Sequence, residues 1–198
     1  MFLEIVGARL LTRYFGSSHY VWTSQIGLVL VALALGYVTG GWCADRWPRL
    51  RFLACALAPA ALFTAFIPDF APWLLERIVD RHPLDREIPA IWQRLDPALG
   101  SALLFLPPCF VLATVPPFLI RRTSRTLHQV GRVSGAIYAA GSVGSIAGVF
   151  FSGYLVMDLI GLSLTFRATG ALVLLLAVVG WMADPLFRES QHAPPPPN

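Results

Sequence analysis

Five long apolar runs, separated by short charged clusters, limit what this chain can fold into. The runs cover residues 22–44, 52–68, 101–120, 133–157 and 163–183. A helix that crosses the hydrocarbon core of a bilayer needs about 20 mostly apolar residues, a length that all but 52–68 reach. The prolines inside 101–120 are tolerated in a membrane helix and predict a kink. The pattern predicts an all-α, polytopic membrane helix bundle with five full spans.

The composition supports a membrane environment and excludes several functions. Of the 198 residues, 56% are hydrophobic and 13% are charged, and the mean hydropathy is +0.64. A soluble domain carries about 25% charged residues. All 15 basic residues are arginine, which excludes enzymes that use a P-loop or Schiff-base lysine. Basic loops in a membrane protein indicate orientation, so we expect no nucleic-acid partner.

The residues that usually carry catalysis or bind metals are scattered. Cys43, Cys55 and Cys109 have no CxxC spacing and lie in or beside apolar runs, as buried free thiols do. The four histidines fall in separate loops, turns or tails, without metal-ligand spacing. The sequence therefore predicts no catalytic set, cofactor site or metal site.

The N-terminal segment, MFLEIVGARLLTRYFG, is apolar but too short to span a bilayer. It is typical of the second half of a membrane helix whose first half is missing. Glu4 and Arg9 would lie at membrane depth, where ionisable side chains are usually paired or functional. Their spacing does not favour a pair on one helix face. We expect a salt bridge to another helix, or an interfacial position.

The charges in the loops predict the orientation. Loop 45–51 holds three arginines and loop 121–132 holds four, whereas loop 69–100 holds six acids against four arginines. The positive-inside rule puts the first two loops in the cytoplasm and the third outside. The domain prediction is a transmembrane bundle over 1–184 and a cytoplasmic, disordered, Pro-rich tail over 185–198. Within the outer loop, the pattern around Trp73 predicts a short amphipathic helix.

Two of the runs carry small residues at every fourth position, which puts each set on one helix face. Such faces allow helix backbones to approach closely, within one chain or between two chains. The first set is Ala32, Gly36, Gly40 and Ala44, and the second is Ala136, Ala140, Gly144, Gly148 and Ser152.

The segment GGWCADRWPRLR resembles the signature of the major facilitator superfamily between its second and third helices. Pro48 stands where that signature usually has glycine. The resemblance implies that an Asp-Arg motif at a helix end packs against a neighbouring helix terminus in a cytoplasmic gate. It also allows Asp45 to cap the following helix. The gate motif comprises Gly40, Gly41, Asp45, Arg46 and Arg49.

A longer resemblance covers nearly the whole chain. The stretches 3–46 and 131–156 are similar to the membrane half of fused major-facilitator/spermidine-synthase-like proteins. In that family the membrane bundle precedes a Rossmann-like domain resembling aminopropyltransferases. We expect no counterpart of that domain in residues 185–198. The resemblance implies half of a major-facilitator-like fold with a truncated first helix, in the bacterial inner (plasma) membrane.

Three hypotheses of function follow. The first is a non-catalytic membrane module that acts with a separate cytoplasmic aminopropyltransferase-like partner. The second is a transporter of a small solute such as a polyamine, functional as a dimer. The third is an accessory subunit of a larger membrane complex. The expected partners are membrane lipid and either a second copy of the chain or another membrane or cytoplasmic protein.

Overall fold

A computed structural model describes residues 1–82, 88–124, 127–156 and 159–192 of the protein. Over these residues the secondary structure is α-helical, with one π-helical turn at Ser152–Val156 and no strand. The helices are α1 (Phe2–Phe15), α2 (His19–Arg46), α3 (Leu50–Val79), α4 (Ala90–Ala113), α5 (Val115–Thr123), α6 (Leu127–Phe151) and α7 (Leu162–His192).

Two helix pairs form the centre of the bundle, α3 with α7 and α2 with α4. Glycine allows the first pair to approach closely, since a Cβ atom added at Gly170 would lie 2.6 Å from the carbonyl oxygen of Ala61. Arg167 of α7 pairs with Asp69 of α3 at 2.9 Å near one end. The pair is thus held by close backbone approach at Gly170 and by an ion pair at Arg167, three residues earlier on α7.

The helix termini collect at two ends of the bundle. The arginine-rich end contains segments 43–51, 119–124 and 181–185, joined by contacts described below. The opposite end contains the end of α1, the start of α2, the end of α3 and the start of α4.

Tryptophan side chains lie near both ends of the bundle. Trp22 and Trp42 lie 20 residues apart on α2, a rise of about 30 Å, which matches the hydrocarbon thickness of a bilayer. Aromatic residues concentrate at the two membrane interfaces.

Five helical segments are long and apolar enough to cross a membrane. This confirms the predicted all-helical architecture and indicates a multi-pass membrane protein. The segments are His19–Arg46, Leu50–Val79, Ala90–Thr123, Gln129–Tyr154 and Leu162–Pro185.

The first helix is too short to cross. Its 14 residues rise about 21 Å, against a hydrocarbon core of about 30 Å. It packs between α2 and α4, where Gly7 faces the Gln25 amide and the Phe105 ring. Val6 and Leu11 are fully buried in the same core. The truncated helix of the sequence prediction is therefore an integral part of the packing.

Two helices extend further towards the opposite end than the hydropathy pattern predicts. The predicted span 52–68 ends at Pro68, but α3 continues through Pro68 and Pro72 to Val79. The predicted amphipathic surface helix is the end of α3, and its Leu75 and Ile78 are buried. Similarly, α4 begins at Ala90, inside the predicted loop 69–100. Prolines do not end these helices because neighbouring groups can satisfy the freed carbonyls.

The predicted kink in the third span is a break at Thr114, between α4 and α5. Pro116 and Pro117 occupy the first turn of α5 and cannot donate backbone hydrogen bonds to α4. The Thr114 hydroxyl donates to the carbonyl oxygen of Val111 at 2.7 Å. The chain therefore restarts as a new helix at Val115.

The last helix also differs from the prediction. The sequence predicts a disordered tail from residue 185, whereas α7 continues through Pro185 to His192. The remaining tail residues, 193–198, lie outside the described residues.

Candidate functional site at the arginine-rich end

The gate motif lies where α2 meets the break between α4 and α5. A Cβ atom added at Gly40 would lie 2.6 Å from Thr114 Cα and 2.7 Å from its carbonyl oxygen. One turn away, Gly36 faces Ala113 and the carbonyl oxygen of Phe110. Ala32 and Ala44, on the same face, are buried. The first set of small residues is therefore a close-packing surface within the chain.

Gly41 does not take part in this approach. A Cβ atom added there would meet nothing within 4 Å. The gate motif contains both Gly40 and Gly41, but only Gly40 needs to be small for the observed packing.

The charged residues of the motif connect two helix ends. Asp45 Oδ1 accepts a hydrogen bond from Arg121 Nε of α5 at 2.7 Å, and both side chains are exposed. Arg46 lies over the ring of Trp47 at 5.9 Å from its centroid. Arg49 is exposed at the start of α3. The motif thus links α2 to α5 by glycine packing and by one solvent-screened ion pair.

The cap of α3 comes from a residue that the sequence interpretation missed. Asp184, fully buried in α7, accepts a hydrogen bond from the backbone N–H of Leu50 at 2.8 Å. Its second oxygen lies 3.5 Å from Arg51 Nε. Asp45 is therefore not the cap of α3. The sequence did contain one signal for this contact. Asp184 directly follows the fifth apolar run, so it must lie at the same end of the bundle as the start of α3.

The second set of small residues has a different environment. Ala140 and Gly144 are exposed, and a Cβ atom at Gly144 would meet nothing within 4 Å. A Cβ atom added at Gly148 would lie 3.6 Å from Phe2 Cβ, and Ser152 is buried in the π-helical turn. The α1 helix therefore covers only one end of this face of α6.

The two N-terminal charges lie on different sides of α1. Glu4 is buried, with 8% of its surface exposed, whereas Arg9 is exposed. They do not form an ion pair with each other. No ion pair between Arg9 and another helix occurs among the described residues.

A cavity of about 580 Å³ with a mixed polar and apolar lining lies at the opposite end, between α1, α2, α3 and α4. Asp96 is buried in its wall and accepts hydrogen bonds from Arg81 Nη2 at 2.9 Å and from His82 Nε2 at 2.7 Å. Tyr14 and Gln93 also line it. The sequence interpretation treated Asp96 as a loop acid, because hydropathy did not show that α4 begins before it. Asp85 and Glu87 of the same predicted loop lie outside the described residues.

Within the described ranges, no group of three or more histidine, cysteine or acidic side chains could hold a metal ion. The comparisons with known proteins identify no relative: no family model matches the chain, and neither a curated protein nor a solved structure matches it.

Proposed function

We propose that this chain is a non-catalytic membrane module with half of a major-facilitator-like fold. In this proposal it acts with a separate cytoplasmic aminopropyltransferase-like partner, which docks at the arginine-rich end. The observation that carries the proposal is the geometry of the gate motif. Asp45 reaches Arg121 across a helix contact that Gly36 and Gly40 make possible, as the facilitator resemblance implies.

The proposal also includes a second protein chain against α6. Every residue of the apolar window within Gln129–Tyr154 remains outside the core of the chain. Lipid tails are as apolar as leucine, so exposure to lipid carries no penalty by itself. The small residues of this helix, however, offer a flat surface of the kind that close helix association uses.

In-membrane photocrosslinking tests the partner. A photoreactive amino acid is introduced at the exposed position 49, at the arginine-rich end, or at the exposed position 76, at the opposite end. In membranes of the source cell, position 49 should give a crosslink to a soluble aminopropyltransferase-like protein, identified by mass spectrometry. Position 76 is the matched control and should give none.

Two results would contradict the proposal. One is a crosslink pattern at position 49 that contains only membrane proteins. The other is aminopropyl transfer by the purified chain from decarboxylated S-adenosylmethionine, persisting after contaminating soluble enzyme has been removed.

A transporter of a small solute, functional as a dimer, is the second candidate, and the cavity at the opposite end favours it. The chemistry of that cavity does not favour a polyamine. Its buried carboxylate, Asp96, is already bound by Arg81 and His82. Uptake of labelled spermidine by proteoliposomes containing only this chain would make the transporter the better description.

A further inference from the structure

An open apolar groove of about 580 Å³ runs between α3, α5 and α7 in the arginine-rich half of the bundle. Leu53 and Leu57 of α3 form one wall, and Val173 and Ala177 of α7 form another. Leu119 of α5 closes the third side. The far rim is formed by Leu176 and Val179, both about half exposed, so the groove opens towards the surrounding membrane.

The length of the groove identifies the kind of occupant. Its lining residues on α7 run from Val173 to Ala183, a rise of about 15 Å. That is half of the roughly 30 Å hydrocarbon core, or one leaflet. A helix of another chain would follow the full thickness of the bilayer, whereas a lipid acyl chain ends at the midplane.

The charge at the groove's polar end identifies the headgroup. Arg122 and Thr123 line that end of the groove, and Arg51 lies beside it over the ring of Trp181. Guanidinium groups recognise phosphate with paired hydrogen bonds. Among the side chains described at this end, arginines outnumber acids. The arginines are Arg46, Arg49, Arg51, Arg121, Arg122 and Arg132, and the acids are Asp45 and Asp184.

We propose that this groove is a binding site for an anionic phospholipid of the leaflet at the arginine-rich end. One acyl chain lies between α3, α5 and α7, and the phosphate lies at Arg122. The site is independent of the partner protein and of the reaction in which that partner takes part.

Native mass spectrometry of the detergent-solubilised full chain tests the site. The protein is titrated with phosphatidylglycerol or with phosphatidylcholine that carries the same acyl chains. We expect a saturable first phosphatidylglycerol adduct that forms at a lower lipid concentration than the corresponding phosphatidylcholine adduct.

Two variants separate the headgroup from the acyl chain. Arg122→Gln should weaken phosphatidylglycerol binding by about fivefold, the contribution of one arginine near an anionic headgroup. It should weaken phosphatidylcholine binding less, because the choline ammonium offsets the charge of the phosphate that both lipids carry. Arg132→Gln, at the same end but not in the groove lining, is its control.

Gly180→Leu should weaken the binding of both lipids, because Gly180 lines the groove and an added side chain meets open space there. Gly27→Leu, also unobstructed but far along α2, is its control.

Equal binding of the two lipids by the wild-type chain would overturn the proposal. So would unchanged phosphatidylglycerol binding in Gly180→Leu, or an equal loss in Arg132→Gln, which would indicate diffuse attraction to the arginine-rich end. A change in oligomeric mass in Gly180→Leu, without a change in lipid adducts, would assign the groove to a second chain instead. The wild-type comparison stands even if a variant unfolds.

Discussion

At the scale of single residues, neighbouring glycines of the gate motif have different roles. A Cβ atom added at Gly40 would overlap the backbone of Thr114, whereas one added at Gly41 would contact nothing within 4 Å. The nearest contacting atoms of Thr114 are backbone atoms, so relieving the overlap requires a shift of the chain and not only of a side chain. Only one of the two glycines is therefore required by packing.

Gly40→Ala and Gly41→Ala form a matched pair. Gly40→Ala should destabilise the chain by about 1–3 kcal/mol through overpacking. That corresponds to a fall of about 2–12 °C in the thermal unfolding midpoint. Gly41→Ala should leave the midpoint unchanged or raise it, since alanine favours a helix by up to about 1 kcal/mol over glycine. Circular dichroism in one detergent measures the thermal unfolding midpoints of both variants.

The same fall for both variants would contradict this assignment, because it would reflect a general intolerance of this turn of α2. A stable Gly40→Ala would show that α2 and the α4–α5 junction separate readily.

Sequence patterns located small residues but not the partners of buried acids. The spacing of Gly36 and Gly40 predicted a close-packing face, and the structure has it. The roles of Asp184 and Asp96 depend on which helix ends meet, and that is a tertiary property. A residue 134 positions away caps α3, and no local pattern around Leu50 contains that information.

At the scale of helices, α2 and α6 share one small-residue pattern and have opposite environments. The face of α2 is buried against α4 and α5, whereas most of the corresponding face of α6 has no neighbour in the chain. The pattern thus predicts that a helix can be approached closely. It does not predict whether the approaching helix belongs to the same chain.

Gly144→Leu tests whether another chain approaches α6. If one does, crosslinking of the chain to itself or to a partner in membranes should fall about tenfold, the effect of losing roughly 1–2 kcal/mol of helix association. Thermal stability should not change, because the added side chain meets nothing within 4 Å in the chain. Gly135→Leu is the control, as it is equally open and lies about 180° around α6.

Crosslinking that stays at the wild-type level in Gly144→Leu would mean that this face contacts lipid. An equal loss in Gly135→Leu would mean that the interface, if present, is not the small-residue face.

At the scale of the whole molecule, hydropathy predicted the number and order of the spans because it reports which residues prefer hydrocarbon. It underestimated helix length at the opposite end, where Asp69 and Glu76 lie inside α3 and Asp96 lies inside α4. Charged residues end a membrane span without ending a helix. The helix boundaries therefore required the structure.

The distribution of arginines predicts that the arginine-rich end is cytoplasmic. Alkaline phosphatase fused after Asp184 should be inactive, and the same enzyme inserted at residue 85 should be active outside the membrane. A fusion after Ser124 provides an internal control, since α5 ends at the same bundle end as Asp184. Activity after both Asp184 and Ser124, without activity at residue 85, would reverse the orientation and remove the basis for a cytoplasmic partner.

The hydrogen bond from Leu50 to Asp184 has a consequence for biogenesis. The ribosome makes the donor 134 residues before the acceptor, a delay on the order of ten seconds at typical rates of synthesis. Until then, α3 lies in the nascent membrane protein without α7, and water or lipid headgroups must accept the hydrogen bond that Leu50 later donates to Asp184. Insertion of α3 must therefore rely on its own hydropathy and on the insertion machinery.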